Sequence, residues 1–359
     1  MRNENIEKTR LRNVKLYDWL IANGDVPIQY ALSKELSLKD DLLKNDEVSY
    51  WLERLKQRSD ANELGKIHGS HDYRMENILG KLWLLGFNRS IPELDTSLNF
   101  IFEFLHQHIK NQNRGSGFGA IYSNLDYELI LAAYMPFFGY YDDEAVQYIA
   151  RKRINLLYAF IESQNFNIYI DSTGLKSVPK AWREYILNQE LYEDGNVKLP
   201  FRHDIILFAC TYAYLEQDMQ HKIDKIITWI CSENYASMWK TKAIFYAEGG
   251  QYTTKSIGRG AFPPNINNGD NDLLFKTFLW SHFSVFRDSK QYRDILEYLD
   301  QYSNDTLLYK FPRSFISEKT DVYLTAGGHM NLGENRKSSK YAQLISSYWM
   351  YRIYDNEND

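Results

Sequence analysis

The sequence predicts an all-α fold, an α/α toroid of inner helices ringed by outer ones, on three observations. One phrase returns four times, an Asp followed by about four turns of apolar residues at helical spacing: "SHDYRMENILGKLWLLGF", "NLDYELILAAYMPFFGY", "RHDIILFACTYAYLEQD" and "DNDLLFKTFLWSHFSVF". After each phrase comes a second helical pattern that carries charge along one side. Almost all the irregular sequence falls just ahead of the first helix of a pair.

The first helices of the pairs begin beside Asp72, Asp126, Asp204 and Asp272 and stop near Gly86, Gly139, Gln217 and Arg287. Their partners begin close to Asp95, Asp143, Asp218 and Asp288. Successive first starts lie 54, 78 and 68 residues apart, whereas the two starts within a pair lie 23, 17, 14 and 16 apart. Pairs of steady length joined by variable loops are the mark of a helical-hairpin repeat. The first helix is apolar nearly all round, as from Ile205 to Tyr214, and is expected to be buried on most faces. The second carries Arg151, Lys152 and Arg153, or Lys222, Asp224 and Lys225, and is expected to lie outside. Early helices in "NVKLYDWLIAN" and "EVSYWLERLKQRS" and a last one in "SSKYAQLISSYWMYRIY" supply the closure. The expectation is one domain over residues 1–359, with the helices of 1–65 packing against the helix of 337–354. The irregular stretches, among them "NQNRGSGFGAIYS" and "LYKFPRSFISEKTDVYLTAGGHMNLGENR", then gather at one end of the ring, where binding residues concentrate.

Composition narrows the function. With 44% hydrophobic and 25% charged residues the chain can build an ordinary core. Its net charge of -5 gives no electrostatic footprint for nucleic acid. No apolar stretch approaches the roughly 20 residues that cross a bilayer. The N-terminus "MRNENIEKTRLRNVKLYDWL" is charged throughout and lacks the apolar centre of a secretory signal, so a cytoplasmic protein is expected. Cys210 and Cys231 are expected to pack as small apolar residues rather than to form a disulfide. Oligomeric state is left open.

The opening "DWLIANGDVPIQYALSKELSLKDDLL", the following "HDYRMENILGKLWLLGF" and the closing "KFPRSFISEK…GGHMNLGENR" resemble the terpenoid cyclase and protein prenyltransferase toroid superfamily. The similarity is closest to bacterial prenyltransferase or squalene-oxidase repeat proteins. It implies a toroid with a central cavity for an isoprenoid. The family's catalytic Asp-x-Asp-Asp is absent: "LKDD" at 38–41 and "GYYDDE" at 139–144 lack the first Asp. Neither Cys stands in the context of the prenyltransferase zinc set, and Asp-Asp-x-x-Asp is missing. The resemblance therefore implies a fold more than a mechanism.

Candidate residues follow from the repeat. Asp72, Asp126, Asp204 and Asp272 read plainly as helix caps, each worth about 1 kcal/mol. Read functionally, they bring carboxylates to the mouth of one cavity, where one carboxyl stays protonated as an acid. His71 and His203 precede two of them at equivalent positions. "HGSHDY" adds His68, a partial metal set that no Cys or His-Glu-x-x-His completes. No cofactor is predicted, and a divalent metal is left open. In "GGHMNLGENR", Gly327, Gly328 and Gly333 permit close backbone approach, and His329, Glu334, Asn335 and Arg336 are polar groups that can project into the cavity. Its plain reading is a glycine-hinged turn whose Glu and Arg pair at the surface.

Arg114, Arg202, Arg259 and Arg313 recur in loops, as an anion clamp or as scattered surface charge. The aromatic surplus of 28 Tyr, 19 Phe and 8 Trp, including Trp83, Tyr134, Phe137, Tyr212, Phe275 and Trp280, reads mostly as core. Rings lining a cavity would stabilise a carbocation by roughly 0.5–2 kcal/mol each. The expected catalytic residues are Asp72, Asp126, Asp204, Asp272, His329 and Glu334. The expected substrate-binding residues are His71, Phe118, Tyr122, Tyr127, His203, Arg259 and Arg336. With the resemblance they predict a terpenoid-cyclase-like or prenyltransferase-like enzyme on a small-molecule substrate, an isoprenoid or another elongated apolar molecule, working by acid-initiated cyclisation, isomerisation or transfer. A carbohydrate-active toroid hydrolase or lyase and a non-catalytic lipid- or peptide-binding toroid are the alternatives.

Overall fold

The structure, a computed structural model, describes residues 2–110, 124–170, 178–193, 195–246, 252–254, 259–266, 272–316, 318 and 321–356. Helices dominate them, and the fold is all-α. Among the described residues, strands form two short antiparallel ribbons, β1 (Tyr192–Glu193) with β2 (Asn196–Val197), and β3 (Ile244–Tyr246) with β4 (Tyr252–Thr254). No helix of the described residues is long and apolar enough to cross a membrane. The contacts divide the chain into two compact units: Met1–Ile101, Phe137–Gly139 and Pro264–Asp359, and then Phe102–Pro136 and Tyr140–Pro263.

The first unit contains α1 (Arg2–Asn23), α2 (Val26–Ser33), α3 (Asp46–Asp60), α4 (Met75–Leu84) and the start of α5 (Pro92–Lys110). Asn45 caps α3, its Oδ1 accepting from the N–H groups of Glu47 and Val48. Val48, Trp51 and Leu55 form the buried stripe of α3, which packs on α4. All ten residues of α4 are buried, Glu76, Asn77 and Lys81 included. Its end needs glycine: Gly86 has φ +86, and a Cβ there would stand 2.6 Å from the Ala31 Cα of α2. The Gly86 carbonyl accepts from Lys34 Nζ at 2.8 Å.

In the second unit, a π-helical stretch Asn124–Leu129 leads into α6 (Ile130–Tyr134), buried at every residue. It is followed by α7 (Glu144–Glu162), α8 (Arg202–Thr211) and α9 (Gln217–Ile230). Asp143 caps α7 through the Ala145 and Val146 N–H groups. The apolar helices α6 and α8 pack together, and the amphipathic helices α7 and α9 pack together. Cys210 of α8 faces the Ala133 carbonyl, and both cysteines are free thiols.

Returning to the first unit, α10 (Leu273–Trp280) and α1 each pack on α12 (Tyr341–Asp355), beside α11 (Lys290–Asp300). Arg12 of α1 donates to Asp300 at 2.7 Å and to the Tyr354 hydroxyl at 2.8 Å, joining α1, α11 and α12. Buried Ser346 and Ser347 of α12 accept from the Phe311 and Tyr309 N–H groups.

The four expected helix-start Asp residues do not behave alike. Asp72 precedes α4 by three residues, and Arg74 occupies the cap position. Asp272 stands at the start of α10 without a capping bond; its carboxylate pairs with Lys276 at 2.9 Å. Asp204 lies one turn inside α8 and reaches back to the Phe201 N–H at 2.8 Å. Its two oxygens also take Arg153 of α7 side-on, at 2.7 and 2.8 Å. Arg153 in turn donates to the Val197 and Leu199 carbonyls, so one guanidinium ties α7, α8 and the chain after β2 together. Arg153→Met is expected to destabilise the protein by roughly 3–5 kcal/mol, because it strands a buried carboxylate. Adding Asp204→Leu should recover most of the loss in urea unfolding. Equal losses in the single and double variants would show that the pair does not hold these segments.

Candidate functional site

In the first unit a polar cluster forms where α3 and α4 meet the loop of residues 321–340. The loop is shaped by left-handed residues. Gly333 has φ +86, and a Cβ there would press on the Asn45 Oδ1 and Pro27 Cγ at 2.9 Å. His329 has φ 55, a conformation that L side chains rarely adopt. What holds it there is Lys81. This side chain is fully buried, and its ammonium donates to the His329 carbonyl at 2.8 Å and to the Asn331 carbonyl. Two carboxylates complete its surroundings, Glu47 of α3 at 3.0 Å and Glu318 at 3.6 Å.

Those carboxylates are shared further. Asn331 donates its N–H to Glu318 and its side-chain amide to Glu47. Arg336 lies 3.1 Å from Glu47 and 3.7 Å from Glu318, and its side chain is 48% exposed, so the cluster meets solvent at this residue. Burial works to raise the Glu47 pKa, but Lys81 and then Arg336 override it and hold the carboxyl below its ordinary value. Two cations and two anions thus balance one another.

Two groups lie outside that balance. Glu334 is buried; its Oε2 accepts from the Leu332 N–H at 2.8 Å, and its Oε1 makes no hydrogen bond of ordinary geometry among the described residues. Burial pushes its pKa up to about 8; backbone N–H groups and Lys81 oppose the shift, and Glu318 adds to it. Glu334 is therefore a neutral carboxylic acid at pH 7. The His329 ring has no exposed surface, stands edge-on to Trp51 at 5.1 Å, and lies 3.9 Å from Glu318. Burial, then Lys81, pushes its pKa down to about 4, against the pull of Asp72, Glu47 and the Val322 carbonyl. It is a neutral imidazole at pH 7.

The expected residues divide accordingly. His329, Glu334 and Arg336 come together, and Asp72 is near enough to act on His329 electrostatically. Asp72 itself is held by Arg54 at 3.0 Å and by the Tyr50 hydroxyl. His71 is exposed and stacked on Tyr73, and "HGSH" is fastened to α4 by Glu76 and Asn77. Asp272 is bound to Lys276. In the second unit Asp204 is committed to Arg153, His203 lies against Tyr134, and Tyr127 against Phe104. Phe118, Tyr122 and Arg114 lie outside the described residues, as do the side chains of Asp126 and Arg259. Among the described residues no group of three or more His, Cys, Asp or Glu side chains is placed to hold a metal ion. Lys81, Glu47, Glu318 and Asn331 were not singled out by the sequence. One signal did point to them: a lysine inside the apolar run "ILGKLWLLGF" must be compensated where it is buried.

Comparison with protein-family models, curated proteins and solved structures returns no match to this chain.

The two shifted groups set a pH dependence. Glu334 binds its proton more tightly folded than unfolded, so its contribution is complete below about pH 4.5 and is lost as the pH rises through about 8. His329 resists protonation when folded, so its contribution is complete above about pH 6.5 and is lost as the pH falls through about 4. The two oppose each other between pH 4.5 and 6.5. Above about pH 7 the buried Lys34, whose pKa burial pushes down to about 7, favours folding as the pH rises and opposes Glu334. Relative to Glu334→Gln, which shares the Lys34 contribution, the wild type is expected to lose about 2 kcal/mol between pH 6.5 and 8. Chemical unfolding across this range, with an unchanged slope in the variant, would contradict the assignment.

Proposed function

We propose that the chain is an enzyme in which Glu334 acts as a general acid on the oxygen of a leaving group, in a transfer or hydrolysis reaction. The observation that carries this reading is a buried carboxyl, neutral at pH 7, with one oxygen uncommitted beside a charge-balanced cluster. A carboxyl held near 8 is too weak an acid to protonate a carbon–carbon double bond efficiently. It is well matched to an ester or glycosidic oxygen, whose bond breaks as the proton arrives. Of the reactions expected from the sequence, transfer is thus favoured over cyclisation or isomerisation. Glu334 gives its proton to the departing oxygen, and its carboxylate takes one from the incoming water or hydroxyl. Lys81 and the Leu332 N–H stabilise that carboxylate in between.

The resemblance supplies the substrate class, an isoprenoid or another elongated apolar molecule, and the closed α/α ring belongs to the same proposal. A second reading, a carbohydrate-active toroid hydrolase or lyase, is favoured by the opposition of a protonated Glu334 and an ionised Glu47 in one cluster.

Native mass spectrometry of the protein purified from its own host should identify a co-purified small molecule, whose turnover can then be followed by chromatography. The wild type is expected to convert it, more slowly as the pH passes about 8. Glu334→Gln should be slower by about 10²–10⁴-fold. Wild-type turnover in that variant would end the proposal. A ligand that the wild type leaves intact would point to the non-catalytic binding toroid instead.

A further inference from the structure

We infer that the second unit carries an open groove along the exposed face of α7 that binds a neutral, hydroxyl-rich chain, an oligosaccharide. The inference stands apart from Glu334 and does not depend on it. A hollow of about 630 Å³ lies between α7 and the segments around β1 and β2. The helix supplies Lys152, Asn155, Leu156, Ala159, Phe160 and Ser163, a spacing that puts them on one face. A neighbouring hollow of about 580 Å³ shares Lys152 and Asn155 and continues along the helix past Tyr148 and Gln147 to Glu144. Together they follow about 28 Å of helix, from residue 144 to residue 163. Such a length suits an extended ligand rather than a compact one.

The chemistry of the wall selects the ligand. Primary amides recur, as Asn155, Asn165, Asn167 and Asn188 in the larger hollow and Gln147 in the smaller. An amide both donates and accepts, which is what a hydroxyl requires. Several are already fixed in place. Asn188 is braced on Glu190 from both ends of its amide, and Asn155 Oδ1 accepts from Lys222 at 3.1 Å. Asn165 Oδ1 accepts from the Asn167 N–H at 3.3 Å, while the Asn167 amide makes no hydrogen bond to a described residue. Holding donors rigid lowers the entropic cost of binding.

Charge in the larger hollow is balanced, with Lys152 and Lys198 against Glu190 and Glu193, and Lys198 lies 2.7 Å from Glu193. A polyanion finds no net attraction there. Tyr148, 46% exposed at one end, offers a ring face on which a sugar can stack. A peptide would need a long strand edge or an apolar groove. The β1–β2 ribbon offers only two residues per strand, and nine of the thirteen residues that line the larger hollow are polar or charged.

The test is isothermal titration calorimetry of the full chain with neutral hexasaccharides of the β-glucan, α-glucan and chitin types. An acidic hexagalacturonate and an uncharged hexapeptide serve as the contrasting probes. At least one neutral hexasaccharide is expected to bind. Asn167→Ala and Tyr148→Ala should each weaken it about tenfold without changing the thermal midpoint, and Glu334→Gln should leave it unchanged. The proposal is overturned if no neutral hexasaccharide binds up to about 10 mM. It is equally overturned if both groove variants bind like the wild type, or if only the acidic or peptide probe binds.

Discussion

An ammonium ion with no exposed surface must be compensated where it sits, or the helix that carries it cannot be buried. Lys81 lies in the middle of α4, whose ten residues are all inside. Two backbone carbonyls and two carboxylates answer it, and all four come from outside the helix. That requirement dictates much of the first unit. It draws the loop after Tyr323 down onto α4, holds His329 in a left-handed conformation, and fixes Glu47 of α3 against the same point. Removing the charge would free the loop and leave the half-exposed Arg336 to balance both Glu47 and Glu318.

The second unit solves the same problem more economically. Arg153 is buried and meets two carbonyls and one carboxylate, and its planar fork uses the carboxylate side-on. Little there is left over. Around Lys81, by contrast, the polar groups exceed what the cation needs. Glu334 keeps an uncommitted oxygen, and His329 is a buried imidazole that has given up its charge. A polar group retained in a core beyond the needs of packing has a cost of about 1–3 kcal/mol, and such groups concentrate where chemistry is done. This contrast is the reason for placing the acid in the first unit.

The aromatic surplus has a different use from the one a carbocation pocket would make of it. Trp83 stacks on Phe137 at 3.8 Å and meets Phe275 and Phe278; both of these meet Trp349 in turn. Rings packed edge-to-face on one another build a core and present few faces to a ligand. Among the described residues, the exposed rings of Tyr50 and Tyr148 lie on helix surfaces, and that of Tyr73 lies in the turn before α4.

Helical periodicity, the alternation of apolar and amphipathic helices and the glycine stop at Gly86 could all be read from the residues in order, because each is a local property of spacing and backbone freedom. The polar character of "GGHMNLGENR" was legible for the same reason, and so were three of its residues that come together, His329, Glu334 and Arg336. The sequence also set the four helix-start Asp residues as equals, since they share a local context. Tertiary structure separated them: Arg153 claims Asp204, Lys276 claims Asp272, and Arg54 with Tyr50 claims Asp72. It also joined Lys81 to Glu47, Glu318 and Asn331, from distant parts of the chain. Partnership between charges depends on distance through space, and protonation depends on burial. Neither is a function of position along the chain, so only the folded protein could decide which carboxyl is paired and which is buried without a counter-ion of its own.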